Sequence, residues 1–203
     1  MRSYRTPKAG LGNRVRSNGV FLVGFMGAGK SSVGRALARR LNWTFEDLDD
    51  RIERREGRTV AEIFRDSGEA EFRRAERAAL TQILEEQCGG GARIVALGGG
   101  AFVQKNNAAL LEAAGVPTVF LDAGVEELWR RCCAEASESG AVRPLLKSED
   151  QFRKLYAGRR GGYLMASLKV DTGNRTVEAI AAEIVECLEL KKIGLRTGDG
   201  ESE

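Results

Sequence analysis

The 203-residue chain contains no histidine. That removes the imidazole base and every His-ligated metal site, so a proton acceptor here is expected to be a carboxylate. Long apolar runs are missing too. Nothing approaches the roughly 20 residues a helix needs to cross a bilayer, and no membrane span is expected. Cysteine is sparse: Cys88, Cys132, Cys133 and Cys187 form no C-x-x-C pair, and the adjacent pair is badly placed to close a structural framework. They read as reduced thiols in a cytoplasmic protein. Excess charge is also small, at +3. Much of it lies in the first 18 residues, where Arg2, Arg5, Lys8, Arg14 and Arg16 meet no acid. This segment reads as a disordered basic tail without the apolar stretch of a secretory signal, and no nucleic-acid partner is expected.

What remains is ordinary for a globular protein, 42% hydrophobic and 30% charged. One domain is expected over residues 19–190, with a second disordered tail over 191–203. Val20 to Val23 is a short apolar run ended by Gly24, as in a fully buried strand. From Lys30 the period becomes helical, with Val33, Leu37 and Leu41 on one face. Trp43 to Phe45 reads as a second strand, leading into the acidic stretch Glu46 to Asp50. Thr59 and Glu62 form a capping box for a short helix, and Gly68 breaks it. A longer helix follows from about 69 to 87, with Phe72, Ala75, Ala79, Leu80, Ile83 and Leu84 on one face. Further strands are expected at 93–97, 118–121 and 168–170, and further helices at about 107–114, 125–136, 149–165 and 176–190. Residues 137–149 read as a loop. Strands alternating with helices at this spacing predict a three-layer α/β domain with five strands in a mainly parallel sheet.

The most informative segment is Gly24-Phe25-Met26-Gly27-Ala28-Gly29-Lys30-Ser31, which fits G-x-x-x-x-G-K-[ST] in full. A buried strand precedes it and an amphipathic helix follows, as this motif requires. Glycines let the backbone curl so that N–H groups converge on phosphate oxygens, and the next helix points its positive end at the same anion. Lys30 supplies a mobile cation for the β- and γ-phosphates, and the Ser31 hydroxyl is a ligand for Mg²⁺. A nucleoside triphosphate site follows.

Asp47 and Asp49 stand two apart at the end of the second expected strand. Alternation there would send both carboxylates to one side while Leu48 turns inward. One carboxylate suits Mg²⁺ and the other an attacking hydroxyl. Taken alone the stretch reads better as a solvated acidic turn that also covers Glu46 and Asp50; the phosphate loop one helix upstream turns the reading to the functional one.

From Gly24 onward the motifs run in an order that resembles the shikimate kinase family. GFMGAGKSSVGR is similar to that family's phosphate loop, FEDLDDRIERREG to its acidic segment, and IFRDSGEAEFRRAE to its substrate-binding helix. ALGGGAF resembles its Gly-rich turn, VRPLL its lid, and RRGGY its late Arg-x-x-x-Tyr element. Gly161 stands where many members carry proline. Together these cover roughly residues 20–190.

The resemblance implies a P-loop kinase fold, with the lid at about 137–149. It also implies ATP-dependent phosphorylation of the 3-hydroxyl of shikimate with Mg²⁺. In that reading Arg73 and Arg159 grip the substrate carboxylate, and Gly98, Gly99 and Gly100 close against the ring. Asp49 binds the ring hydroxyls and is the candidate base, with Lys30 and Arg143 as the other catalytic groups. ATP would lie on Gly27, Ala28, Gly29, Lys30, Ser31 and Ser32, with Arg143 swinging over it and Arg131 against adenine. Ser31 and Asp47 would hold Mg²⁺. Paired guanidiniums suit a carboxylate because they bind it in fork geometry. Each Arg also has a plainer reading as a helix-surface ion pair. The doublets 130–131 and 159–160 leave the register open by one. The competing readings are a kinase for gluconate or a nucleoside monophosphate, and a catalytically silent nucleotide-binding relative. A monomer is the expectation, since no heptad or apolar stripe calls for a partner.

Overall fold

A computed structural model describes residues 19–139 and 148–192. The expected basic tail, most of the expected lid with Arg143, and the residues after 192 lie outside that range. The strands are β1 (Gly19–Val23), β2 (Thr44–Asp47), β3 (Arg93–Ala96), β4 (Thr118–Asp122) and β5 (Leu168–Asp171). They form one parallel sheet in the order β2-β3-β1-β4-β5. The expectation of an α/β fold with a five-stranded parallel sheet is met. All strand C-terminal ends therefore lie along one edge, where open α/β sheets bind ligands.

β1 is central and wholly buried, which is why its sequence is continuously apolar rather than alternating. It is followed by α1 (Lys30–Leu41), which buries Val33, Leu37 and Leu41. Gly34 has no room for a side chain, because the Phe45 ring occupies the position of a Cβ. The helix consequently lies close on β2, and Arg35 covers the outer side of that ring, 5.2 Å from its centroid.

Two differences from the sequence reading bear on the site, an unforeseen helix and an unforeseen buried acid. The acidic stretch after β2 is a helix, α2 (Leu48–Glu56). Only Leu48 and Ile52 of it are buried, too few to show a helical period. The next helix, α3 (Val60–Cys88), has the expected capping box at Thr59 and Glu62 and departs from helical geometry at Gly68 (φ 78°, ψ 177°). It resumes at once, because glycine adopts positive φ without strain. The apolar face beyond the kink is buried as expected, and Glu76 is buried with it.

The remaining helices are α4 (Lys105–Ala113), α5 (Val125–Ser139), α6 (Glu149–Tyr163) and α7 (Val177–Cys187). α5 runs three residues past its expected end into the segment read as loop. Ser148 caps α6 by accepting from the Gln151 N–H, and Thr176 caps α7 in the same manner. No helix among the described residues is long and apolar enough to cross a membrane.

Candidate active site

Register brings three loops together. Leu22 and Asp47 both align with Ala96 of β3, so the chain leaves β1, β2 and β3 at one level. The first exit is the phosphate loop. Gly24, Gly27 and Gly29 have φ of 147°, 77° and 87°, values that L side chains rarely adopt. Gly27 is required twice over, since a Cβ there would sit 2.7 Å from the Leu128 carbonyl oxygen and 2.9 Å from Cys132 Sγ. α1 begins at this loop with no side-chain cap and no acid in its first turn. Its first-turn N–H groups and positive dipole end therefore face the loop without a side-chain cap or an acid among them, as anion binding requires. Lys30 Nζ reaches back over the loop, 3.0 Å from both the Gly24 and Phe25 carbonyl oxygens. Ala28 is buried, and Ser32 is exposed on the first turn of α1.

The second exit carries the two carboxylates, but strand alternation does not pair them. β2 ends at Asp47, whose backbone is extended and whose Oδ1 accepts from the Asp49 N–H at 3.1 Å. Asp47 is thus the N-cap of α2, and Asp49 lies in the first helical turn. The pair still converges, because a capping side chain lies over that turn. Asp47 Oδ2 also accepts from the Ser31 hydroxyl at 2.9 Å. This hydroxyl–carboxylate pair unites the two residues read as metal ligands.

Asp49 points to the third exit, the turn 98–100. A Cβ on Gly98 would lie 2.8 Å from Asp49 Oδ1, so only glycine lets the carboxylate lie flush against the turn. That oxygen is buried without a hydrogen-bond partner. Burial, reinforced by the negative charge of Asp47 and eased by Lys30, pushes the Asp49 pKa from 3.8 up to about 6.

Arg73 and Arg159 meet at the same turn. A Cβ on Gly100 would lie 3.0 and 3.1 Å from the two terminal nitrogens of Arg73 and 3.4 Å from Arg159 Nη2. A Cβ on Gly99 would lie 3.8 Å from Arg159 Nη1. Two guanidiniums beside an unpartnered carboxylate oxygen make a cleft for a ligand with an acid at one end and hydroxyls at the other.

The two arginines of each doublet take different courses. Arg160 turns away, binding Asp122 Oδ2 at 2.9 Å and the Tyr156 hydroxyl at 3.1 Å, while Arg159 lies over the Phe25 ring. Arg130 is an exposed partner of Glu127. Arg131 also binds Glu127, at 2.8 Å, but crosses to the phosphate loop, donating to the Gly27 carbonyl at 3.4 Å and the Thr172 carbonyl at 2.7 Å. It thereby ties the phosphate loop to Thr172 beyond β5.

Sequence reasoning missed the groups that hold this cleft. Glu76 is 1% exposed and binds Arg73 Nη1 through both oxygens, at 3.0 and 3.1 Å. Asn107, also buried, donates to Glu76 at 3.4 Å and to the Ala101 carbonyl at 3.1 Å. Burial raises the Glu76 pKa, opposed by Arg73, Arg159 and Asn107. A signal existed: Glu76 falls in phase with Phe72, Ala79, Leu80 and Ile83, so an acid was being buried beside an arginine. Arg74, by contrast, makes only the exposed ion pair with Glu71.

The chain is similar to known proteins over most of its length. The family model for shikimate kinase matches residues 26–189. A shikimate kinase from Cereibacter sphaeroides is 39% identical over 183 residues, 89% of this chain and 87% of that one. One from Geobacter metallireducens is 42% identical over 174 residues, 84% of this chain and 91% of its own. Among solved structures, shikimate kinase from Acinetobacter baumannii in complex with shikimate superposes with a TM-score of 0.74. It is 32% identical and covers 84% of this chain and 92% of that one.

Proposed function

This chain belongs to the shikimate kinase family, and we propose how its residues transfer the γ-phosphoryl group of ATP to the 3-hydroxyl of shikimate. The observation that carries the proposal is the meeting of Arg73 and Arg159 at Gly100, with Asp49 against Gly98. The shikimate carboxylate lies between the two guanidiniums, each offering parallel N–H donors. The ring rests on Gly98 to Gly100, where the lack of side chains permits close approach. Its hydroxyls then reach the unpartnered Asp49 Oδ1.

At neutral pH an acid with a pKa of about 6 is ionised, yet it is a stronger base than an ordinary aspartate. Asp49 accepts the 3-hydroxyl proton as that oxygen forms its bond to the γ-phosphorus. The bond from the γ-phosphorus to the β,γ-bridging oxygen breaks, and ADP leaves with the electron pair. Lys30 moves from the Gly24 and Phe25 carbonyls to the phosphates, which the loop 27–32 cradles. Arg131 borders the nucleoside end, and Arg143 adds positive charge from the segment 140–147.

Ser31 and Asp47 fit Mg²⁺: both offer oxygen, the ligand type this hard ion prefers, and they already touch. Among the described residues no group of three or more acids, cysteines or histidines could hold a metal ion, which suits an ion held mainly by nucleotide phosphates and water. When bound, the ion neutralises charge on the triphosphate. We place the protein in the cytoplasm as a monomer. Its four free cysteines support the compartment, and Phe64, Leu164 and Met165 are the only large exposed apolar side chains among the described residues.

The test is coupled ADP release with shikimate, gluconate and nucleoside monophosphates as acceptors. Turnover with shikimate alone is expected. Turnover with gluconate or a nucleotide instead, or with no acceptor despite ATP binding, would overturn the proposal.

A further inference from the structure

Tyr163 ends α6 and is completely buried. Its ring stacks on Phe120 of β4, with centroids 5.3 Å apart and planes inclined by 29°. The neighbouring Gly162 is pressed against the segment that follows the glycine turn, since a Cβ there would lie 2.8 Å from Val103 Cγ1. The phenol therefore has one direction in which to point. It donates to the Gly99 carbonyl oxygen, and the Arg159 guanidinium lies near enough for its charge to act on the phenol. A hydroxyl has one proton to give, which the Gly99 carbonyl takes, and lone pairs that remain open to the neighbouring guanidinium. Burial pushes its pKa up to about 12, and it stays a donor throughout the working range of pH.

The hydroxyl thus bonds one component of the acid cleft and neighbours the other. Arg159 is one of its guanidiniums. The Gly99 carbonyl belongs to the peptide that enters Gly100, where both guanidiniums meet. No peptide bond in the described residues is cis, so this carbonyl and the Gly100 N–H point in opposite directions. Anchoring the oxygen fixes where the N–H aims. Glycines have no side chain to hold a turn in one shape, and Arg159 is a long, flexible side chain. Each needs an external anchor, and one hydroxyl supplies both.

We propose that Tyr163 is a positioning residue that locks Arg159 and the Gly99–Gly100 turn into one carboxylate-reading unit, setting the preference for acidic over neutral acceptors. It touches neither ATP nor the reacting hydroxyl. The inference rests on the reading of this cleft as the acceptor site.

The experiment compares Kd for shikimate and for its methyl ester, which lacks the negative charge. Binding is measured by calorimetry on the full chain, as wild type, Tyr163→Phe and Phe120→Leu. Wild type is expected to prefer the acid strongly; equal binding of acid and ester would sink the carboxylate site itself, independently of Tyr163. Tyr163→Phe should lower the acid-to-ester preference about tenfold or more while leaving Kd for the ATP analogue within about twofold. Phe120→Leu loosens the same packing but keeps the hydroxyl, and should leave the preference within about twofold. An unchanged preference in Tyr163→Phe, or an equal loss in Phe120→Leu, would overturn the proposal. Should Tyr163→Phe not fold, fluorotyrosine at 163 keeps the ring while making the oxygen a poorer acceptor for Arg159. The acid-to-ester preference must then fall at an unchanged melting temperature, and a constant preference would refute the role.

Discussion

Replacing Asp49 with asparagine should abolish turnover and at the same time make the free protein more stable. The carboxylate is largely buried near Asp47, Glu76 and Glu53, and Lys30 only partly offsets the cost. A shift from 3.8 to about 6 corresponds to about 3 kcal/mol, at 1.36 kcal/mol per unit. Because the folded-state value is raised, the protonated form is favoured by folding. The stability it contributes is complete below pH 3.8 and is lost as pH rises through about 6. Asparagine has nearly the same shape and never ionises. The variant should therefore gain the full amount at pH 8 and about half of it at pH 5. For a chain of this length each kcal/mol moves the melting temperature by about 2–4 °C. Thermal unfolding of both proteins at pH 5 and 8, without ligands, measures the difference. A variant no more stable than wild type at pH 8, or a gain that does not grow with pH, would refute the reasoning. The same titration governs catalysis: free-enzyme kcat/KM should fall about tenfold per pH unit below pH 6, and a profile flat to pH 5 would remove Asp49 as the base.

Lys30→Ala should lower kcat by about 10² to 10⁴, because phosphoryl transfer depends on concentrated positive charge; undiminished transfer would remove the cradle from the mechanism. Glu76→Gln should raise KM for shikimate about tenfold with kcat and KM for ATP little changed, since Arg73 loses the carboxylate that aims it. Steady-state kinetics with each substrate varied in turn would show this, and an equal rise in both KM values would point to general damage instead.

The elements most legible in the sequence were those whose pattern follows from burial alone. β1 announced itself because a central parallel strand is apolar on both faces, and α1 because its buried face repeats every fourth residue. The capping box at Thr59 and the break at Gly68 were equally local signals. α2 was hidden because it buries only two side chains and is otherwise charged, so no hydrophobic period marks it. That omission led to the wrong backbone for Asp49 while leaving its partnership with Asp47 intact, since capping and alternation place the two on the same side. The arginine doublets were undecidable from composition. Arg160 is drawn out of the cleft by Asp122, whereas Arg130 and Arg131 share Glu127 and only Arg131 goes on to the Gly27 and Thr172 carbonyls. Asn107 and the Tyr163 hydroxyl act on residues 31 and 64 positions away, a relation that only the folded chain reveals.

The most direct test is a crystal structure with shikimate and a non-hydrolysable ATP analogue bound. The carboxylate of the acceptor should lie within hydrogen-bond distance of both Arg73 and Arg159, with the 3-hydroxyl on Asp49 and facing the γ-phosphate. An acceptor whose acid group engages neither guanidinium, or whose 3-hydroxyl is turned from Asp49, would contradict the account.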